Sequence, residues 1–378
     1  MAQKKRKHFY DYSLLAVIIF LTVFGLIMIY SASSYTAQIK MDNPGYYMWR
    51  QAGIAGAGFV FMIVISLVDY HFWVKNSIWL YLVSYPLLIA TMLFGREING
   101  RKRWLVIAGQ SFQPTEVVKI GIILFLSLVI VYLMQNKLIN TWKGLGIIFA
   151  IDIPLAILVA ANNLSSGIII FLLAFIMSFV ATNKKAVYAG AAALGALAIA
   201  FVKPIAESLQ SIGLLKPYQL GRILVWLEPE AHPLDGGYQV LQGLYAIGSG
   251  GFWGKGLGES IQKLGFVPEA QNDMIFTIIC EELGLFGGIC VIAVFGFMIY
   301  RLFVLANSAP DRYGSFICIG VMAHIAIQVI LNIAVVCNAI PNTGVTLPFI
   351  SYGGTSVFFL MCEMGLVLGV SRSIKLDY

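Results

Sequence analysis

The sequence predicts an all-α polytopic membrane protein with ten transmembrane helices, on three observations. Hydrophobic residues make up 59% of the 378 positions and charged residues 11%, with a mean hydropathy of +0.84. That leaves too little polar surface to cover a soluble globule. Apolar windows of about 17–25 residues, the length that crosses a bilayer, recur along the chain. Lysine and arginine gather in alternate connections, which sets an orientation.

The windows fall at 13–33, 51–68, 78–95, 114–134, 145–161, 165–182, 186–203, 273–300, 314–337 and 354–371. An even number of spans puts both termini on one side. The first span is longer than a signal-peptide core, lacks a small-residue cleavage site and is followed by further spans, so it is expected to stay as a helix. Its leader, Lys4-Lys5-Arg6-Lys7, places the N terminus in the cytoplasm. Lys75, Lys137, Lys143, Lys184, Lys185, Arg301, Arg312, Arg372 and Lys375 fall on that same side. Four cations break the pattern: Arg96, Arg101, Lys102 and Arg103 crowd a short outer loop. They suggest an anionic ligand such as a phosphate or pyrophosphate, with lipid head groups as the plainer reading.

Residues 1–378 read as a single membrane domain whose connections are short except one, 203–272, expected as a large extracytoplasmic loop between the seventh and eighth spans. Arg222 to Leu227 suits a segment lying in the membrane interface, and Pro229 to Pro233 breaks helix. No internal repeat is evident, which weakens a transporter built on inverted repeats. The five cysteines all lie within predicted spans, so disulfides and thiolate metal sites are not expected. The net charge of +7 comes largely from membrane flanks and argues for anionic membranes rather than nucleic acid.

Chemistry-bearing residues cluster late in the chain. Between Tyr238 and Glu282 a glycine-rich polar stretch ends with Asp273 at the start of an apolar helix. Gly248, Gly250, Gly251, Gly254, Gly256 and Gly258 suit phosphate approach or re-entrant turns. They fail as a nucleotide loop, because Gly256 follows Lys255 where Ser or Thr is required. Asp273 reads either as a helix cap or as a general base raised toward working pH by shielding from water. Glu116 and Lys119, at i and i+3 after Pro114, share a helix face as a packing ion pair or a substrate-facing one. Glu281 and Glu282 point about 100° apart, so they cannot both face one site. Glu282 is expected inward, beside a buried cation or polar network. Asp152, His324 and Glu363 read as hydrogen-bonded packing elements, and no spacing suggests a metal site. Ile340 to Ser356 is rich in Pro and Gly at membrane depth and is expected to wall a site, with Ser351 a candidate substrate contact.

Taken together, Tyr30 to Ser34, Asn99-Gly100-Arg101-Lys102-Arg103-Trp104, Gln113 to Lys119, the GYQ, GSGG and GKGLG elements, the Pro268 to Asp273 acid motif and the final PNTGVTLPFISYGGTS resemble the SEDS family of shape, elongation, division and sporulation proteins. The likeness covers nearly the whole chain and leans toward the FtsW/SpoVE branch. It implies a peptidoglycan glycosyltransferase in the bacterial cytoplasmic membrane, polymerising lipid II on the outer face beside a class B penicillin-binding protein, with a role in cell division. The family's essential acid aligns with Asp273, its Glu-Lys pair with Glu116 and Lys119, and its Arg-Trp pair with Arg103 and Trp104. One departure is clear: Asn162-Asn163-Leu164-Ser165-Ser166 replaces a Pro-Asp-Leu-Gly-Thr stretch common in relatives.

On this reading, Asp273 takes a proton from a sugar hydroxyl that attacks an anomeric carbon and expels undecaprenyl pyrophosphate. Arg101, Lys102, Arg103 and Lys119, then Lys255 and Lys263, are the candidate cationic cradle. A divalent cation could assist at the pyrophosphate, although no acid cluster predicts a dedicated site. The rival from another class is a flippase for the same lipid-linked precursor, and a third is a noncatalytic scaffold.

Overall fold

The helices alternate in direction along the chain and are joined mostly by short turns, so chain order nearly dictates which ends lie together. A computed structural model describes residues 9–98, 101–107, 110–211, 213 and 217–375. The leader Lys4 to Lys7 and Asn99–Gly100 lie outside the described residues, as does the side chain of Arg101.

In chain order the helices begin with α1 (Tyr12–Met41), α2 (Tyr46–Leu67), the short α3 (Tyr70–Lys75) and α4 (Ser77–Phe94). After a small sheet come α5 (Pro114–Gln135), α6 (Trp142–Ala160), α7 (Leu164–Ala181), α8 (Lys185–Ala200), α9 (Val202–Ser211), α10 (Pro217–Leu227) and α11 (Tyr238–Ser249). The chain finishes with α12 (Ile275–Ser308), α13 (Arg312–Val336) and α14 (Thr355–Ser373). Among the described residues nine of these are long and apolar enough to cross a membrane. The seventh expected span differs: α8 is only 16 residues long, and an 81° bend joins it to α9. Counting the bent pair as one span makes ten.

Local sequence explains the boundaries. The Asp11 carboxylate accepts from Leu14 N at 2.9 Å and caps α1, Asp311 does the same for α13 through Gly314 N at 2.9 Å, and Pro114 opens α5 where a missing N–H costs nothing. One end of the bundle is tied by Arg301 to Asp11 at 2.7 Å and by Asp11 N to Ser371 at 2.8 Å. The opposite end gathers the N termini of α2, α5, α7, α12 and α14 with the long connection between α8 and α12. The centre is formed by α13, α14 and α5, the most deeply buried of the long helices.

One feature was not anticipated. The cation-rich loop is a three-stranded antiparallel sheet, β1 (Arg96–Ile98), β2 (Arg101–Ile107) and β3 (Gln110–Phe112), with Arg96 opposite Trp104 and Leu105 opposite Phe112. The glycine-rich segment takes the re-entrant form that its residues allowed. Gly284, at φ 70°, breaks α12 nine residues after its start and strands backbone groups within the apolar core. Residues 251–256 supply the partners: Lys255 N and Gly256 N donate to Glu281 O and Glu282 O at 3.0 and 2.9 Å, while Leu285 N and Phe286 N donate to Gly251 O and Phe252 O at 2.9 and 3.1 Å. Irregular backbone at this depth persists only when so satisfied. Gly254 sits at φ 83°, and a β-carbon there would lie 2.1 Å from Glu282 O.

Gly254→Ala is therefore expected to lower stability by about 1–3 kcal/mol from backbone strain alone, with the clash adding to it. Thermal unfolding of the purified protein in detergent checks this, and a melting temperature equal to that of the parent would contradict the pairing.

Candidate active site

The turn before α12 presents Asp273. Its backbone is held by Asn332 of α13, a fully buried side chain whose amide donates to Asp273 O at 2.7 Å and to Val345 O at 2.8 Å. Those bonds lay the irregular 340–354 segment against the start of α12. Gly344 then comes so close that a β-carbon on it would lie 3.8 Å from Asp273 Oδ2. Protein packs densely around the carboxyl, yet the side chain keeps some accessible surface. Burial raises its pKa from the ordinary carboxylate range to about 6, with nearby Glu269 adding to the rise and Arg222 opposing it.

Arg222 comes from α10 and donates to Asn342 O at 2.9 Å, while Trp226 Nε1 donates to Asn338 O at 3.0 Å. The stretch expected to lie in the membrane interface thus turns these two side chains onto the loop beside Asp273. Ser165, at the start of α7, donates to Thr343 O at 2.7 Å. Three residues before it, Asn162 O accepts from Arg103 Nε at 3.1 Å. Asp273, Gly344, Thr343, Ser165, Asn162 and Arg103 therefore form one continuous wall. A small cavity along it is lined by Lys102, Arg103, Gln113, Thr115, Asn162 and Asn163 among others. Lys102 also donates to Leu93 O at 3.0 Å, closing the end of α4. Trp104 is part-exposed on β2 beside Arg103. Glu116 and Lys119 pair at 2.8 Å, both buried, one turn into α5 beyond Thr115.

Several expected positions need correction. Lys255 and Lys263 were candidates for an open cationic cradle, but Lys255 pairs with Glu281 at 2.6 Å and Lys263 with Glu282 at 2.9 Å. Glu282, a candidate substrate contact, is fully buried and also accepts from Ser31 at 2.6 Å. Its expected place beside a buried cation is what the structure contains. Glu281 is equally buried and accepts from Ser260 and from Ile261 N. The two neighbouring acids do point apart, but each finds its own lysine on the re-entrant segment. The signal was available in the two lysines, eight residues apart, facing two adjacent acids. Ser351 is turned inward: its hydroxyl accepts from Leu347 N at 2.8 Å and closes a turn rather than facing a ligand. His324 and Glu363 hydrogen-bond at 2.7 Å, as packing elements should. Asp152 does not fit that description, since neither of its buried oxygens has a hydrogen-bond partner among the described residues. Asn332 and Arg222 were missed as site residues, because nothing local in the sequence ties either to Asp273.

Breaking the Lys263–Glu282 pair leaves an uncompensated carboxylate in the core. Lys263→Met is expected to destabilise by about 3–5 kcal/mol, and Lys255→Met by less because Lys255 is part-open to water and Glu281 keeps its bonds from Ser260 and Ile261 N. Thermal unfolding of both variants checks the order, and equal melting temperatures would contradict it.

Comparisons with known proteins agree with this architecture. The family described as cell cycle proteins, FtsW/RodA/SpoVE, matches residues 12–376. Stage V sporulation protein E of Bacillus subtilis is 36% identical over 369 residues, 96% of this chain and 97% of the relative. A probable peptidoglycan glycosyltransferase FtsW from Geobacter sp. strain M18 is 32% identical over 374 residues, 98% of this chain and 99% of its own. Among solved structures, one described as the structural coordination of polymerization and crosslinking by a peptidoglycan synthase complex matches at TM-score 0.77 and 26% identity, covering 96% of this chain and 98% of that one. The rod shape determining protein RodA of Thermus thermophilus shares the fold at TM-score 0.66 and 22% identity, with 97% and 98% covered. The chain belongs to the FtsW/RodA/SpoVE family of cell cycle proteins.

Proposed function

We propose that this protein is a peptidoglycan glycosyltransferase that polymerises lipid II at the outer face of the bacterial cytoplasmic membrane, with Asp273 as general base. The observation that carries this reading is the state of that one carboxyl. Glu116, Glu281, Glu282 and Asp11 each hold a cation within 3 Å, whereas Asp273 is in no such pair among the described residues and has a pKa near 6. A carboxylate of that pKa is well matched to accept a hydroxyl proton near neutral pH.

The reaction follows from the wall described above. The 4-hydroxyl of the incoming lipid-linked disaccharide gives its proton to Asp273 as its oxygen bonds to the anomeric carbon of the growing strand. The bond from that carbon to the pyrophosphate oxygen breaks on the opposite face, with inversion, and undecaprenyl pyrophosphate leaves. That group departs as an anion and needs charge stabilisation more than protonation. Arg103 and Lys102 line the same wall to supply it, Arg101 belongs to the same strand, and Trp104 flanks them. Lys119 acts through its pair with Glu116 to hold the start of α5. Among the described residues no three His, Cys, Asp or Glu side chains gather as a metal site.

The basic leader and the basic connections on its side support a cytoplasmic N terminus, and hence an outward-facing Asp273 in an extracytoplasmic loop region. A class B penicillin-binding protein is the proposed partner, in keeping with the peptidoglycan synthase complex that shares this fold. The leaning toward the FtsW/SpoVE branch supports a role in cell division. Glu116 with Lys119 and Glu282 with Lys263 are closed buried pairs, which disfavours using those charges as a polar path for a flippase.

With lipid II and purified protein, Asp273→Asn is expected to reduce polymerisation by at least about 100-fold, and normal turnover would refute the assignment. The rate of the parent should rise with pH through about 6, as Asp273 loses its proton. Glu269→Gln removes a charge that raises this pKa, so the acid limb should move to lower pH, whereas Arg222→Gln should move it higher. Initial rates across the acid limb check both directions, and shifts of the opposite sign would contradict the electrostatics.

A further inference from the structure

A second polar cluster adjoins Asp273 and belongs to no step above. Tyr47 of α2 meets Tyr352 edge to face at 5.1 Å between ring centroids, 79° apart. Both rings are part-exposed. Arg50, on the same face of α2 as Tyr47, hydrogen-bonds to the Tyr352 hydroxyl, and both Arg50 and Glu269 lie within electrostatic reach of Tyr47. The cluster is tied to the catalytic turn through Tyr352 N, which donates to Gln271 O at 2.9 Å, two residues before Asp273.

Two further observations separate this cluster from ordinary packing. Glu269 is exposed and holds a left-handed backbone, φ 52°, which a non-glycine residue adopts at a cost. Asn272 Nδ2 donates to its carboxylate at 2.8 Å, so the strained turn fixes an acid beside the rings. Gln51, one helical turn from Tyr47, is almost wholly buried; its carbonyl accepts from Gly354 N at 3.2 Å, while its Nε2 has no partner among the described residues. Trp49, by contrast, is 68% exposed on another face of α2, as an aromatic at a membrane boundary should be.

We propose that Tyr47, Tyr352, Arg50 and Glu269 form a saccharide subsite beside Asp273. It takes a pyranose ring of the glycan, and this rests on the glycosyltransferase reading. The chemistry of each group fits. The apolar face of a pyranose packs on tyrosine rings, Glu269 accepts from its hydroxyls, and Arg50 holds Tyr352 in place while supplying a donor. The bond from Tyr352 N to Gln271 O, two residues before Asp273, sets the subsite beside the base, so it orients the sugar whose hydroxyl reacts.

Direct binding tests the subsite without relying on turnover. The probe is the soluble β-1,4-linked N-acetylglucosamine tetramer, titrated into the full-length protein in nanodiscs and read by saturation-transfer NMR. The parent and Asp273→Asn are expected to bind it alike. Tyr47→Ala is expected to bind about tenfold more weakly, as for loss of one aromatic contact. Tyr47→Phe should keep the parent affinity, and Glu269→Gln, a surface change that leaves the core intact, should weaken binding. Parent-like binding by both Tyr47→Ala and Glu269→Gln would overturn the proposal and leave the rings an aromatic boundary only, and so would absence of binding by the parent. Failure of the general-base reading shows instead as polymerisation by Asp273→Asn, and it leaves the binding result standing.

Discussion

The Asn332 amide joins two pieces of chain that are far apart in sequence, and the candidate site is assembled around that junction. By donating to both Asp273 O and Val345 O, it seats an irregular segment on the first turn of α12. The segment in turn receives Ser165 from α7 and Arg222 from α10, and it turns Gly344 toward the Asp273 carboxyl. Without that seat the 340–354 stretch would have to satisfy its carbonyls elsewhere in an apolar setting, which is costly. The long connection between α8 and α12 is therefore anchored to the bundle at the acid itself.

Charge placement follows a consistent logic away from this junction. Four buried acids on or beside α1, α5 and α12 are each neutralised by a lysine or arginine: Glu116 by Lys119, Glu281 by Lys255, Glu282 by Lys263 and Asp11 by Arg301. Such buried pairs add little net stability, because desolvation offsets the attraction, but losing one partner is expensive. They fix register: Lys255 and Lys263 fasten the re-entrant glycine segment under the break in α12, and Ser31 extends the second pair to α1. Asp273 is left crowded but without a paired cation, which keeps its proton affinity high.

Much of this was legible in the sequence, and the limits have physical causes. The spans could be read because crossing a membrane demands long apolar runs, a signal carried by local composition. Asp273, Glu116 and Lys119 stood out because charges at membrane depth are rare. The three-stranded sheet escaped notice because Arg101 to Ile107 has the cations of a loop, and its pairing depends on Arg96 and Phe112 being brought alongside. The bend after α8 escaped as well, since the apolar run continues straight through it. Asn332, Glu281 and Arg222 take their roles from partners 13 to 120 positions away. One sequence carries no trace of such pairings until the fold brings them together.

Catalysis by Asp273 requires surroundings that hold its proton to near-neutral pH. Infrared difference spectroscopy of the intact protein, stepped in pH and assigned with Asp273→Asn, reads that proton directly. A protonated carboxyl band that disappears as pH rises through about 6, and is missing in the variant, is the predicted result. A band showing Asp273 already fully ionised well below that pH would contradict it.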